Sequence, residues 1–174
     1  MASHSETRGS VLSIIDIKAH REGAIGGLIG AAGIAIWYLI ADTLAGHPFF
    51  TPSVLGSTVL VLLSGSGLGA VQIEPVSASL VLMFSVAHGA TFIVIGAAVA
   101  RLLKERERGD NYRLGVMILL TFFVAWFIFM NMIVAGVVMD ALNITDILIA
   151  NLIAVVAMGT YFSTSLLDSI INEY

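Results

Sequence analysis

An apolar run that ends abruptly in charge constrains this chain more than any other feature. Ala78-Ser-Leu-Val-Leu-Met-Phe-Ser-Val-Ala-His88-Gly continues through Thr91-Phe-Ile-Val-Ile-Gly-Ala-Ala-Val-Ala100. It then becomes Arg101-Leu-Leu-Lys104-Glu-Arg106-Glu-Arg108-Gly-Asp-Asn-Tyr-Arg113. About 23 apolar or small residues at a rise of 1.5 Å give roughly 34 Å of helix, enough to cross a bilayer with some tilt. In lipid the backbone must satisfy its own hydrogen bonds, so a run of this kind predicts a spanning α-helix. Similar runs at about 23–45, 114–139 and 147–167 predict three more. The whole chain is 58% hydrophobic and 11% charged, against about 45–50% and 25% in soluble domains. The expected fold is therefore all-α, a four-transmembrane-helix bundle.

Charge sets the expected threading. All eight Lys and Arg fall in two places: Arg8, Lys18 and Arg21 before the first run, and Arg101 to Arg113 between the second and third. The connections at 46–77 and 140–146 carry only acidic charge. Cytoplasmic loops collect Lys and Arg, so four spans with both termini cytoplasmic is the threading that obeys the rule. It implies a cytoplasmic segment at 1–22, a membrane domain at 23–167 and a cytoplasmic tail at 168–174. No small-residue cleavage site precedes the first run, which is expected to be retained as a membrane helix. A net charge of −4 offers no basic field for nucleic acid. The absence of Cys excludes disulfides and thiolate ligands.

Local signals fill in the elements. Val11, Ile14, Ile15 and Lys18 recur at helical spacing, which suits either a short amphipathic helix on the membrane surface or an extension of the first span. Gly23, Gly26, Gly27, Gly30 and Gly33 put small residues along one side of that span, where backbones can approach closely in lipid. The neighbour is either the chain's own bundle or another protein. Trp37 and Tyr38 are placed as an interfacial anchor. Gly46-His47-Pro48-Phe49-Phe50-Thr51-Pro52 breaks the helix, with Thr51 and Pro52 expected as N-cap and first residue of the next. That helix, about 52–64, is too short to span and suits a re-entrant or interfacial segment on the outer face. The glycines after Ser64 lack the Lys and the following Ser or Thr of a phosphate-binding loop. In the third run Met117, Met130, Met132 and Met139 do not share a face, so a methionine-lined metal path is not indicated. Asn143 with Asp146 three residues on resembles a cap for the last span.

Two sets of residues are candidates for function. His88 lies about ten residues into its helix, hence roughly 15 Å deep, and intramembrane ionisable groups are functional hypotheses by default. A neutral imidazole there can ligate a haem or chlorophyll-type pigment, move a proton, or simply bridge two helices. Ser85 and Thr91 flank it and could hold the other ring nitrogen. The second set gathers toward the outer half: Asp42, His47, Asn131, Asp140, Asn143 and Asn151. An Asn131–Asn151 interhelical hydrogen bond is one reading, a water-filled vestibule or weak cation site the other. No metal-ligand spacing, serine elbow or intramembrane Asp pair is present, so an enzyme is not expected.

The runs Trp37-Tyr-Leu-Ile-Ala-Asp42, Gly46-His-Pro-Phe-Phe-Thr51-Pro52-Ser-Val-Leu-Gly56, Ala87-His88-Gly-Ala-Thr-Phe92 and Ala150-Asn151-Leu-Ile-Ala-Val-Val-Ala-Met158-Gly159-Thr-Tyr161 carry a resemblance. The chain is similar over most of residues 23–162 to a group of small, functionally uncharacterised four-helix membrane proteins of bacteria. The resemblance implies the threading and a bacterial inner-membrane location, and no activity. Members of that group often end in a basic stretch, whereas this chain ends in Leu167-Asp168-Ser-Ile-Ile-Asn-Glu173-Tyr174. The functional expectation is a non-catalytic accessory subunit of a larger membrane complex, energy-transducing or light-harvesting, with lipids and other membrane subunits or further copies of itself as partners. The alternative is an oligomeric small-solute or ion channel or transporter using His88 and Asn131. A membrane enzyme acting on a lipid or quinone through Asp42 and His47 ranks last.

Overall fold

The computed structural model describes residues 3–66, 71, 75–106 and 142–171. The run at 114–139 lies outside the described residues, as do Asn131 and Asp140. Among the described residues there are four helices, α1 (Ser3–Leu44), α2 (Phe50–Ser64), α3 (Ala78–Arg106) and α4 (Ile144–Ile171), and no strand. Three of the helices contain stretches long and apolar enough to cross a membrane: His20–Leu44, Ala78–Leu103 and Thr145–Thr164. The 15 residues of α2 make about 22 Å of helix, short of a bilayer core.

The segment before the first span is not a separate surface helix. α1 is one unbroken helix of 42 residues, because no proline interrupts its hydrogen-bond ladder before Pro48. Its C-terminal end closes with Gly46 in the left-handed region at φ 85°. There Gly46 N–H donates to the Thr43 carbonyl at 3.1 Å and His47 N–H to the Asp42 carbonyl at 3.0 Å, the paired bonds of a Schellman cap.

α1 is the post on which the other helices lean. A Cβ on Gly27 would collide with the Phe92 carbonyl oxygen of α3, and one on Gly96 with the Gly23 carbonyl oxygen. A Cβ on Gly23 would lie 2.6 Å from the Ala97 Cα. The two backbones touch, antiparallel, with residue 23 level with 96–97 and residue 27 level with 92–93. Gly26, Gly30 and Gly33 turn instead to α4. Added Cβ atoms there would meet Phe162 at 2.6 Å, Met158 at 2.6 Å and Ile153 at 3.0 Å. The glycines of α1 thus face the chain's own helices, and their closeness gains dispersion contact where no hydrophobic drive exists between helices.

Between α1 and α4 the core is Ile34, Tyr38, Ala150 and Ala154, with Trp37 and Phe92 packed against it. Tyr38 and Trp37 are therefore turned into the helix seam, Tyr38 fully and Trp37 partly, rather than standing as interfacial anchors. The small Ala150 and Ala154 leave the room that the rings fill. Nearer the basic end α3 and α4 meet directly through Ala100, Met158 and Phe162. At the other end α2 fits against both, with Val54 on Leu142 and Gly56 so close to the Leu80 carbonyl that a Cβ would overlap it.

Two glycines mark the contrast that tests this packing. A Gly56→Val chain should lose about 1–3 kcal/mol of stability to overpacking, read by thermal unfolding in detergent. Gly89→Ala and Gly159→Ala, where no described residue lies within 4 Å of an added Cβ, should be neutral or slightly stabilising. Equal effects at all three positions would contradict the contact with Leu80.

Candidate functional site: the polar knot at the α1–α2 turn and the enclosed histidine

The first candidate is built by the turn between α1 and α2. Asp42, in the last turn of α1, is only 4% exposed. Its Oδ2 accepts the Thr51 backbone N–H at 2.8 Å and its Oδ1 accepts the Thr51 hydroxyl at 2.7 Å. The first N–H groups of a helix have no partner within it, and here each is accounted for. Phe50 N–H donates to the His47 carbonyl at 3.2 Å, Thr51 N–H to Asp42, Pro52 has none, and Ser53 N–H donates to the Phe49 carbonyl at 3.2 Å. The carboxylate also meets the positive end of the α2 dipole.

The expected cap is corrected accordingly. Thr51 is not the N-cap of α2. Phe49 occupies that place at φ 64° with no side-chain hydrogen bond of its own, and Thr51 sits inside the first turn. A left-handed conformation costs an L residue roughly 1–2 kcal/mol. The tight turn needs it to bring Thr51 onto Asp42, so the cap is supplied from the preceding helix instead.

The knot continues into α3. Ser53, also buried, accepts the Ser77 N–H on its Oγ at 3.0 Å, immediately ahead of α3. One residue of α1 thus caps α2, and one residue of α2 caps α3. Buried Tyr38 lies in the field of both the Asp42 and the Asp146 carboxylates. His47 is exposed, its ring tilted against Phe50 with centroids 4.9 Å apart. Asn143 accepts the Thr145 N–H on Oδ1 at 2.9 Å, a cap for α4. Exposed Asn151 donates its amide to the Ile147 carbonyl of its own helix at 2.7 Å. Among the described residues the Asp42 carboxylate is thus joined to Thr51, and not to His47, Asn143 or Asn151. Among the described residues no three of His, Asp and Glu gather as a metal site.

The second candidate is His88, at the level of Ala31 on α1, whose backbone interacts with the ring. No contact to Nε2 reaches hydrogen-bond geometry among the described residues, and this nitrogen has essentially no accessible surface. Phe84 stacks on the imidazole at 5.2 Å and Phe92 tilts against it at 4.7 Å. Ser85 and Thr91 do not hold the ring with their protons. Their hydroxyls donate to the Val81 and Ala87 carbonyls of α3 at 2.7 and 2.9 Å, the local bond always open to a helical Ser or Thr. A haem or chlorophyll-type group on Nε2 would need the ring to turn this nitrogen out of the protein. Trp37 Nε1 is the other enclosed polar atom without a partner among the described residues.

The Asp42–Thr51 pair is the feature the sequence reading missed. Its signal is an Asp in the last turn of a span, nine residues ahead of a Thr-Pro pair across a Gly-His-Pro turn. Comparison with known proteins adds no relative: no family profile, curated protein or solved structure matches the chain.

Asp42→Ala strands two buried donors of Thr51, and should cost about 1–3 kcal/mol with faster amide exchange through 50–64. Asp42→Asn, which keeps an acceptor, should recover a good part of both. Unchanged exchange in α2 on Asp42→Ala would show that the helix is held by something else.

Proposed function

We propose that the chain is a four-span integral membrane protein of a bacterial inner membrane, with both termini cytoplasmic, serving as a non-catalytic accessory subunit of a larger membrane complex. Support for the fourth crossing comes from where the described helices end. α3 ends at the basic end of the bundle, while Leu142 lies against Val54 of α2 at the opposite end. The residues between must join opposite ends, and they include the apolar run 114–139. α2 starts level with α3 and runs beside it in the same direction, Ser53 at Ser77 and Gly56 at Leu80. That direction favours a re-entrant half-helix over one lying flat.

The observation that carries the accessory role is how the polar side chains in the spans are used. The hydroxyls of Thr43, Ser85, Thr91, Thr160 and Thr164 and the amide of Asn151 donate to carbonyls of their own helices. Asp42 is committed to a cap. This leaves no acid–base pair and no lined path among them, while the other described residues leave broad apolar faces of α1, α3 and α4 open, Val94 at 68% and Val155 at 66% exposed among them. The glycines of α1 are occupied within the chain, so a partner would meet these aliphatic faces instead. Native mass spectrometry of the protein taken from its own membranes should recover it with a stoichiometric membrane partner. A bare monomer in mild detergent, with nothing co-purifying, would contradict the proposal.

His88 Nε2, without a hydrogen-bond partner among the described residues, favours a second reading, an oligomeric pathway for a small solute or ion. It predicts flux in proteoliposomes that His88→Ala changes by several-fold, and inert liposomes count against it. A pigment or haem on His88 predicts an absorption band in the native preparation that His88→Ala removes.

A further inference from the structure

The end of the bundle where α1 turns into α2 brings two carboxylates to one level. Along the α1–α4 seam each step of four up one helix goes with a step of four down the other. Added Cβ atoms on Gly26 and Gly30 would meet Phe162 and Met158, and Ile34 and Tyr38 pack with Ala154 and Ala150. One more step makes Asp42 level with the first turn of α4, where Asp146 stands. Both acids continue the ridges that face the other helix, Asp42 after Ile34 and Tyr38 on α1, Asp146 before Ala150 and Ala154 on α4. Asp42 is buried and Asp146 half-buried.

No Lys or Arg of this chain can reach them. All of these lie at or before Arg21 or between Arg101 and Arg113. Arg21 is about 31 Å down α1 from Asp42. Ser77 is held at the level of the knot by Ser53, and Arg106, where α3 ends, is about 43 Å along the helix from it. Arg113 is seven residues further on, a length that reaches back at most about 25 Å. His47 is exposed, with its ring on Phe50.

A buried charge is paired or coordinates a metal. The Thr51 donors and the α2 dipole meet Asp42 in part. A carboxylate has about four acceptor positions, so the cap leaves room on both oxygens. Beside the two acids stands Tyr38, itself buried and in the field of each. Its hydroxyl makes no hydrogen bond among the described residues, although a buried phenol usually finds a partner. These donors are all oxygen, which suits a hard cation. We propose that Asp42, Asp146 and the Tyr38 hydroxyl hold a divalent cation of the calcium class, pinning the start of α4 to the end of α1. Calcium fits better than magnesium because it accepts irregular oxygen sets completed by water, whereas magnesium asks for a near-ideal octahedron. Two carboxylates place the affinity in the weak range, a Kd of about 10⁻⁴–10⁻³ M. The site is independent of the partner or path that the protein serves.

The full chain in an uncharged maltoside detergent should bind one Tb³⁺, a hard ion of calcium's size, with luminescence excited through the neighbouring aromatic rings. Ca²⁺ should displace it at lower concentration than Mg²⁺. Asp146→Asn, which leaves the Thr51 cap in place, should weaken Ca²⁺ roughly tenfold, and Tyr38→Phe about threefold. Asp168→Asn removes the same charge near the other end of α4 and should leave the affinity unchanged. With a chelator present Asp146→Asn should unfold at the temperature of the unsubstituted chain, and Ca²⁺ should raise that temperature only in the latter, which separates loss of the site from loss of fold. Equal weakening in Asp168→Asn would reduce the effect to bulk charge and overturn the site. So would unchanged affinity in Asp146→Asn, displacement by Mg²⁺ as effective as by Ca²⁺, or no bound Tb³⁺. Should the isolated chain bind no cation while Asp146→Asn abolishes recovery of a co-purifying subunit, a partner's Lys or Arg meets the pair and the metal site is wrong.

Discussion

Everything in this molecule depends on two backbones being allowed to touch. At Gly23, Gly27 and Gly96 the α1 and α3 chains come so close that a single methyl on any of them would meet main-chain atoms of the other. In a bilayer the lipid tails are as apolar as the side chains, so helices gain little from hiding from water. They gain from contact, which shape alone provides. The glycine contact sets the α1–α3 register, the register sets the level of His88, Ala31, Arg21 and Arg101, and α4 then packs on the adjoining face of α1 through Gly26, Gly30 and Gly33.

The second organising rule is that polar groups must be satisfied without water. The chain does this mostly within single helices, by hydroxyls donating back one turn. Where a helix begins or ends, the neighbouring element supplies the partner. Asp42 is the extreme case, since its carbonyl completes the end of α1 and its carboxylate starts α2. Ser53 repeats the arrangement for the start of α3. This ties the short helix to both of its neighbours by hydrogen bonds as well as by the Gly56 contact, and holds Phe49 in a backbone conformation it would not otherwise adopt. His88 Nε2 and Trp37 Nε1 stand outside the rule among the described residues. For that reason His88 stays in view for function.

How much of this could be read from the residues alone follows from the physics of each signal. Helical class and the spans at α1, α3 and α4 were legible because a run of apolar residues in lipid has one way to satisfy its backbone. The shortness of α2 was legible from its prolines and length. The glycine spacing spoke of close approach, yet spacing does not name a neighbour; only the fold divides Gly23 and Gly27 from Gly26, Gly30 and Gly33. Side-chain directions were less legible. Trp37 and Tyr38 near a span's end suit an interface, and the choice of the α4 seam depends on Ala150 and Ala154, far along the chain. Thr51 before Pro52 looks like a cap by every local rule. A carboxylate nine residues upstream took over that role, which no local pattern expresses. The N-terminal segment was balanced between two helical forms, and the absence of a breaker decided for continuity.

The most direct test of the central contact uses the chain's lack of cysteine, which leaves introduced thiols unambiguous. Spin labels at Leu28→Cys and Val94→Cys, both exposed beside the glycine contact, report the spacing of α1 and α3 in a bilayer by pulsed electron resonance. The account predicts one narrow distance distribution from two helices at the close end of normal packing. It further predicts that Gly27→Leu broadens this distribution and moves it outward. A broad distribution in the otherwise unsubstituted chain, or one that Gly27→Leu leaves in place, would contradict it.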